Sequence, residues 1–275
     1  MNWSWNVGAI AGIRVFIHWT LLALLGMVGW SGRHADGGAL AAMALYAGVF
    51  GCILLHELGH ALAARRYGIA TRSITLFPFG GIAALERMPT TPKRELVVAL
   101  AGPAVNVVIA LLLLPIVMLT GWGVNLLWIN LMLVAFNLLP AFPMDGGRVL
   151  RAALASRMDP IRATRIAVGI GRVIAVLFVV GGIFLNPFLI LIALVVWTQG
   201  AAELRQMQRP RAAVLSPHDT LERPLAIFAQ TGQIDFPVQD RAQLVGILSR
   251  EQLSVAFARF GPQMTVGAVM EPVRG

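Results

Sequence analysis

Apolar residues in this chain come in long, nearly unbroken runs, not in the alternating or three-and-four spacing of a water-soluble domain. Six runs predict membrane spans, at about 15–30, 39–64, 95–119, 123–142, 166–185 and 187–202. An α-helix needs about 20 apolar residues to cross hydrocarbon. The sixth run is the shortest, and Asn186-Pro187 before it fits either a hairpin or a kink in one long helix. Residues 72–85, RSITLFPFGGIAAL, break the helical pattern with β-branched and aromatic residues around Pro78 and Gly80-Gly81. They predict a short β-hairpin or re-entrant loop, and NVGAIAGIRVFIH near the N-terminus could supply another strand. Non-helical backbone at membrane depth must lie against protein or a wet cavity. Past about residue 210, Pro, Asp, Gln and Arg appear and no run could span a bilayer.

The pattern predicts an α-helical polytopic membrane protein of about six transmembrane helices with a short membrane-associated β-hairpin. A small cytoplasmic α/β domain follows, with the boundary between residues 205 and 206. Composition agrees: 57% of the 275 residues are hydrophobic and 13% charged, against about a quarter charged in soluble domains. Mean hydropathy is +0.75.

The net charge of +9 does not imply nucleic acid, because topology explains the arginines. Arg65, Arg66, Arg72, Arg87, Lys93 and Arg94 fall between spans two and three, and Arg148, Arg151, Arg157, Arg162 and Arg165 between four and five. Cationic loops stay cytoplasmic, so both termini and both basic loops are expected inside; five spans would put the tail outside. A single cysteine, Cys52, excludes an intrachain disulfide. The N-terminus has neither a basic n-region nor an A-x-A site, so the first span is expected to stay. Arginine over lysine and abundant alanine suggest a bacterial cell membrane.

Inside the second run stands LLHELGHALAAR, residues 54–65. His56 and His60 are four apart, so on a helix they share a face one turn apart. Two imidazoles so spaced can bind one divalent metal, and Glu57 can serve as general base. The bland alternative is a pair of satisfied core histidines. Ionisable groups within a membrane span are functional by default, which favours the metal. A catalytic zinc takes three protein ligands. His18, His34 and His218 are the other histidines, and nothing in their spacing demands ligation. Asp145, in NLLPAFPMDGG at 137–147, is the better candidate, because it shares the cytoplasmic depth of the histidines and prolines and glycines break the helix around it. Its alternative is a helix-capping aspartate.

HELGH with a later N-x-x-P-x-x-P-x-D-G-G resembles the site-2 protease family of intramembrane metalloproteases, over roughly residues 3–203. Gly80-Gly81 and AGPAVN at 101–106 also match family features. The resemblance implies one Zn2+ held by His56, His60 and Asp145, with Glu57 as base and proton shuttle. It implies substrate contacts at Asn137, Gly80, Gly81 and Pro143, with Pro140 and Pro143 shaping the broken helix. Asn137 fits nearly as well a bond to a neighbouring helix, Asn106 fits packing between helices through a hydrogen bond, and Cys52, one turn before His56, reads as a small core residue. The implied reaction is hydrolysis of a peptide bond in or near a transmembrane segment, as in regulated intramembrane proteolysis. Substrate classes of the family are membrane-tethered transcription factors, anti-sigma factors, sigma-factor precursors and signal-peptide remnants.

The tail, AVLSPHDTLERPLAIFAQTGQIDFPVQDRAQLVGILSREQL at 213–253, resembles a CBS domain, a module borne by one subfamily of these proteases. That resemblance implies an adenine nucleotide, but Gln252 stands where a ribose-binding acid is usual. TVGAVMEPV at 265–273 looks like the entry to a second motif, so the tail could pair between subunits as a homodimer. Two rivals stand. One is a metalloprotease whose third ligand is Glu86, Glu95 or Glu203; the other is a CBS-gated metal or solute transporter.

Overall fold

The computed structural model describes residues 3–33, 38–87, 89, 91–208, 213–240 and 243–272. It divides into two compact units, Met1–Met207 and Gln208–Gly275. His34 and Val273 lie outside the described residues.

The first unit opens with a hairpin of β1 (Ser4–Ile10) and β2 (Ile13–His18), then α1 (Trp19–Gly32) and α2 (Gly38–Arg65). A second hairpin, β3 (Thr71–Phe77) and β4 (Gly80–Leu85), precedes α3 (Pro92–Thr120) and α4 (Val124–Asn137). After a loop come α5 (Asp145–Ala155), α6 (Pro160–Phe184) and α7 (Phe188–Gln208). The hairpins join in one sheet of order β1-β2-β3-β4, with β2 and β3 parallel and Val15 opposite Ile74. Residues 72–85 form the hairpin and not a re-entrant loop, and the N-terminal stretch, expected to supply one strand, takes part in two. The first span was expected from about residue 15, but β2 runs through His18 and the helix starts at Trp19. The β-branched alternation of IRVFIH and its pairing with β3 hold that stretch extended.

One face of the sheet is buried. Ile13, Ile74 and Leu76 pack on Leu21 of α1 and on Phe50, Leu58 and Ala61 of α2. The sheet is thereby seated on the helix that carries the H-E-x-x-H motif.

Four helices, α2, α3, α6 and α7, are long and apolar enough to cross a membrane. Their outward residues are apolar and uncovered, as with Leu112 (67% exposed), Leu119 (85%) and Phe184 (79%). This suits lipid as the solvent. α1 and α4 are apolar but only 14 residues each, about 21 Å of helix against about 30 Å of hydrocarbon. The fourth run ends as helix at Asn137, not at 142. Asn186-Pro187 separates two helices that run back along each other: Gly182 meets Ile190, and Gly200 meets Val168. The hairpin reading of that dipeptide is the observed one.

The second unit has its own core of Leu215, Leu221, Phe236, Val238, Leu248, Leu253, Ala256 and Val266. Leu215 bridges Val238 in parallel, then come α8 (Glu222–Thr231), the antiparallel pair β5 (Asp235–Asp240) and β6 (Gln243–Ser249), and α9 (Arg250–Phe260). A short β7 (Glu271–Pro272) adds to β6. Ser249 and Gln252 form a capping box at the start of α9, so both side chains are already engaged.

Candidate metal centre

α2 presents His56 and His60 on one face because they are four residues apart. The ring centroids are 4.7 Å apart and the rings are nearly perpendicular. The third group comes from α5. Residues 138–144 turn tightly between α4 and α5, and Ala141, Phe142 and Met144 are buried against α6 and α7, with Ala141 on Ala175 and Phe142 on Ala167 and Val168. The turn requires the two glycines after Asp145. A side chain on Gly146 would overlap the backbone of Leu138 and Leu139, and one on Gly147 would lie 2.7 Å from the Ala141 carbonyl carbon. Asp145 is the first residue of α5, with Met144 as N-cap, and its carboxylate points to the histidines, not to the helix end.

Asp145 Oδ2 lies 3.1 Å from His56 Nε2 and 3.2 Å from His60 Nε2, and the two Nε2 atoms are 3.1 Å apart. These are the three groups among the described residues that could hold one metal ion. The donor set fits zinc. Zn–N and Zn–O bonds of about 2.0–2.1 Å imply about 3.3 Å between ligand atoms of a tetrahedron, close to the observed triangle. The proton positions agree. His60 Nδ1 donates to Val98 O at 2.7 Å, and His56 Nδ1 donates to Asn106 Oδ1 at 2.9 Å. With both protons on Nδ1, both Nε2 lone pairs face the carboxylate, as ligating histidines require.

Glu57 is half-buried beside His56. Gly81 of β4 lies directly against it: a Cβ there would come within 2.6 Å of Glu57 Cγ and 3.3 Å of Oε1. Gly80 adopts φ +140°, which disfavours any side chain, and its Cβ direction is open. The sheet thus brings Gly81 to the glutamate, with Gly80 beside it in the strand. Asn137 ends α4 half-buried, and Pro143 is exposed in the loop, joined to Phe142 by a cis peptide.

The rival ligands are engaged elsewhere. Glu86 pairs with Arg72. Glu95 of α3 and Glu203 of α7 both pair with buried Arg151 of α5. Arg151 is therefore an internal charge, not the free loop cation counted from sequence. His18 bonds Thr20 Oγ1 and packs on Phe77. Cys52 is buried and accepts a bond from Asn130, which suits a small core residue.

Two residues escaped the sequence reading. Gly102 of α3 lies under both rings, and a Cβ there would collide with His60 Nε2 and come within 2.7 Å of His56 Nε2. The AGPAVN motif was the available signal, yet the need for a bare backbone there appears only when α2 and α3 are packed. Asn130, buried in α4, bonds Asn106, and no motif marked it.

Comparison with known proteins matches the model of peptidase family M50 over residues 44–126 and 122–180. A zinc metalloprotease of Methanocaldococcus jannaschii is 31% identical over 270 residues, covering 90% of this chain and 78% of that relative. The chain belongs to peptidase family M50, the site-2 proteases. Stage IV sporulation protein FB of Bacillus subtilis is 31% identical over 119 residues, covering 42% of this chain and 41% of that protein. Among solved structures, the site-2 protease from M. jannaschii aligns with TM-score 0.55 and 34% identity, over 74% of this chain and 96% of that one. Family M50 membership makes this a zinc-dependent intramembrane protease, on a multi-pass membrane chain.

Proposed function

We propose that the protein hydrolyses a peptide bond in or near the transmembrane segment of a membrane-tethered protein, with His56, His60 and Asp145 as zinc ligands and Glu57 as general base. The observation that carries this reading is the convergence of three ligand atoms, 3.1–3.2 Å apart, from two helices distant in sequence. Zinc at that site would polarise a scissile carbonyl and bring the pKa of a water to about 7. Glu57 accepts the proton of the attacking water and delivers it to the leaving amine. Asp145 and the Nδ1 partners of the histidines keep the ligand atoms aimed inward.

A helical substrate hides its carbonyls in its own hydrogen bonds and must unwind to be cut. Among the described residues β4 is paired on one side only, by β3, and Gly81 abuts Glu57. An extended substrate strand added to the free side of β4 would pass the base. Phe79 (80% exposed) and Ile82 (52%) flank that position. Asn137 and Pro143, at either end of the loop before Asp145, are the further substrate-contacting residues of this reading.

In the membrane we propose six crossings with both termini and the basic loops cytoplasmic. The short α1 and α4 complete their crossings with β2 and with the 138–144 loop, both packed on protein. The tail's strand–helix–strand–strand–helix order supports a CBS-like module acting as a regulatory or dimerising element. Its Ser249–Gln252 pair caps α9, so no nucleotide enters the proposal.

The test is zinc per chain in detergent for wild type, His56→Ala, Glu57→Gln and Asp145→Ala. Wild type and Glu57→Gln should each hold one zinc, and the other two should lose it. Full zinc in Asp145→Ala would overturn the ligand set. Cleavage of a membrane-tethered substrate should fall about 10²–10⁴-fold in Glu57→Gln.

A further inference from the structure

The two histidines are steadied in different ways. Val98 O, which can only accept, fixes the His60 proton on Nδ1 directly. Asn106 cannot do this alone for His56, because an amide can offer either its oxygen or its NH2, and the two ends have nearly the same shape. Presented NH2-first, it would leave Nδ1 as acceptor and put the ring proton on Nε2, facing Asp145. His56 would then have no lone pair for a metal.

What decides is one residue further out. Asn130 of α4 is fully buried. Its NH2 donates to Leu126 O at 2.8 Å and to Cys52 Sγ at 3.3 Å. A peptide carbonyl only accepts, so the Asn130 amide cannot turn round. Its Oδ1 therefore faces Asn106, 3.2 Å from Nδ2, and that contact requires the Asn106 NH2. The Asn106 oxygen is left for His56, at 2.9 Å. Each step from Leu126 O to His56 Nδ1 has one consistent donor direction, set by a backbone carbonyl on a third helix.

We propose that Asn130 is a positioning residue for the metal centre: by orienting Asn106 it holds His56 as the Nδ1-protonated tautomer that can ligate zinc. The inference rests on the zinc reading above. A merely structural role, gluing α3 to α4, would lower stability and leave metal affinity alone.

The experiment uses the full chain in detergent. Zinc affinity is measured by competition with a chromophoric chelator, and the site geometry by visible absorption of the cobalt(II)-loaded protein. Asn130→Ala is expected to weaken zinc binding by about 10-fold or more, within the range for outer-shell partners of ligating histidines, and to alter the cobalt bands. Adding Asn106→Asp to Asn130→Ala is expected to recover affinity to within about threefold of wild type, because a carboxylate accepts from Nδ1 whichever way it turns. Thr164→Ala is the control: Thr164 is equally buried and, among the described residues, its hydroxyl bonds Pro160 O alone, so zinc affinity should not move. Asn130→Ser, whose hydroxyl can still reach Leu126 O, serves where Asn130→Ala does not fold, with the same expected weakening. Wild-type affinity in either single variant of Asn130, or no recovery in the double variant, overturns the proposal. A wild-type protein that takes up no zinc overturns the zinc reading itself, and this inference with it.

Discussion

Gly102→Ala tests the closeness of α2 and α3, on which the centre depends. The added methyl would sit 2.6 Å from His60 Cε1 and 2.7 Å from His56 Nε2, and closer still to His60 Nε2. Ordinary contact begins near about 3.5 Å, so these two contacts alone require the rings to retreat by at least about 0.8–0.9 Å, and the His60 Nε2 contact requires more. Metal sites tolerate about 0.2 Å in ligand distance. The neighbours leave little room, since His60 is tied to Val98 O and His56 to Asn106. Moving about four times the tolerance should cost at least about 100-fold in zinc affinity, or about 2.7 kcal/mol. Chelator competition reads this directly, and cleavage should fall with zinc occupancy. A natural contrast is Gly51→Ala, on α2 with the histidines and with open space at its Cβ, which should bind zinc like wild type. Equal affinity for Gly102→Ala and wild type would refute the packing argument.

Arg151→Met strands Glu95 and Glu203 without their cation; breaking a buried pair costs about 3–5 kcal/mol, so thermal unfolding in detergent should drop clearly, and an unchanged transition would count against the buried triad. Gly81→Val places methyl groups on Glu57 and obstructs the free side of β4, so turnover should fall while zinc stays at one per chain; unchanged cleavage would sink the strand-addition idea. In the tail, burial pushes the Asp219 carboxyl up, but the Ser216 N–H and the Arg223 guanidinium outweigh it and hold it below the ordinary carboxylate range. A lowered folded pKa gives stability that is present above the unfolded value near about 3.9 and lost as pH falls through the folded one. The stability advantage of wild type over Asp219→Asn should therefore be full at pH 6 and shrink as pH falls below the unfolded value, read by unfolding of the tail; an advantage independent of pH would refute the assignment.

Local pattern made much of this protein legible. The H-E-x-x-H spacing put two imidazoles on one helix face, and helical periodicity alone guarantees that. Apolar runs marked α2, α3, α6 and α7 because length and hydropathy are properties of a segment. β-branched alternation marked the hairpins, and the Gly80-Gly81 pair pointed to the stretch that ends against Glu57. The first helix boundary was misplaced because pairing with β3, a contact across the sequence, keeps residues 13–18 extended. Arg151 read as a loop cation because nothing nearby in sequence reveals Glu95 or Glu203.

The sequence by itself determined which residue types could ligate and which four helices are long and apolar enough to cross a membrane. Only the tertiary structure decided that Asp145 meets histidines 85 and 89 positions away. It alone showed that Gly102 lies bare beneath them and that Asn130 bonds Asn106. The physical reason is the same in each case. Periodicity reports the face a residue occupies on its own element, whereas a ligand set, a steric gap and a donor direction belong to the space between elements, which exists only once they pack.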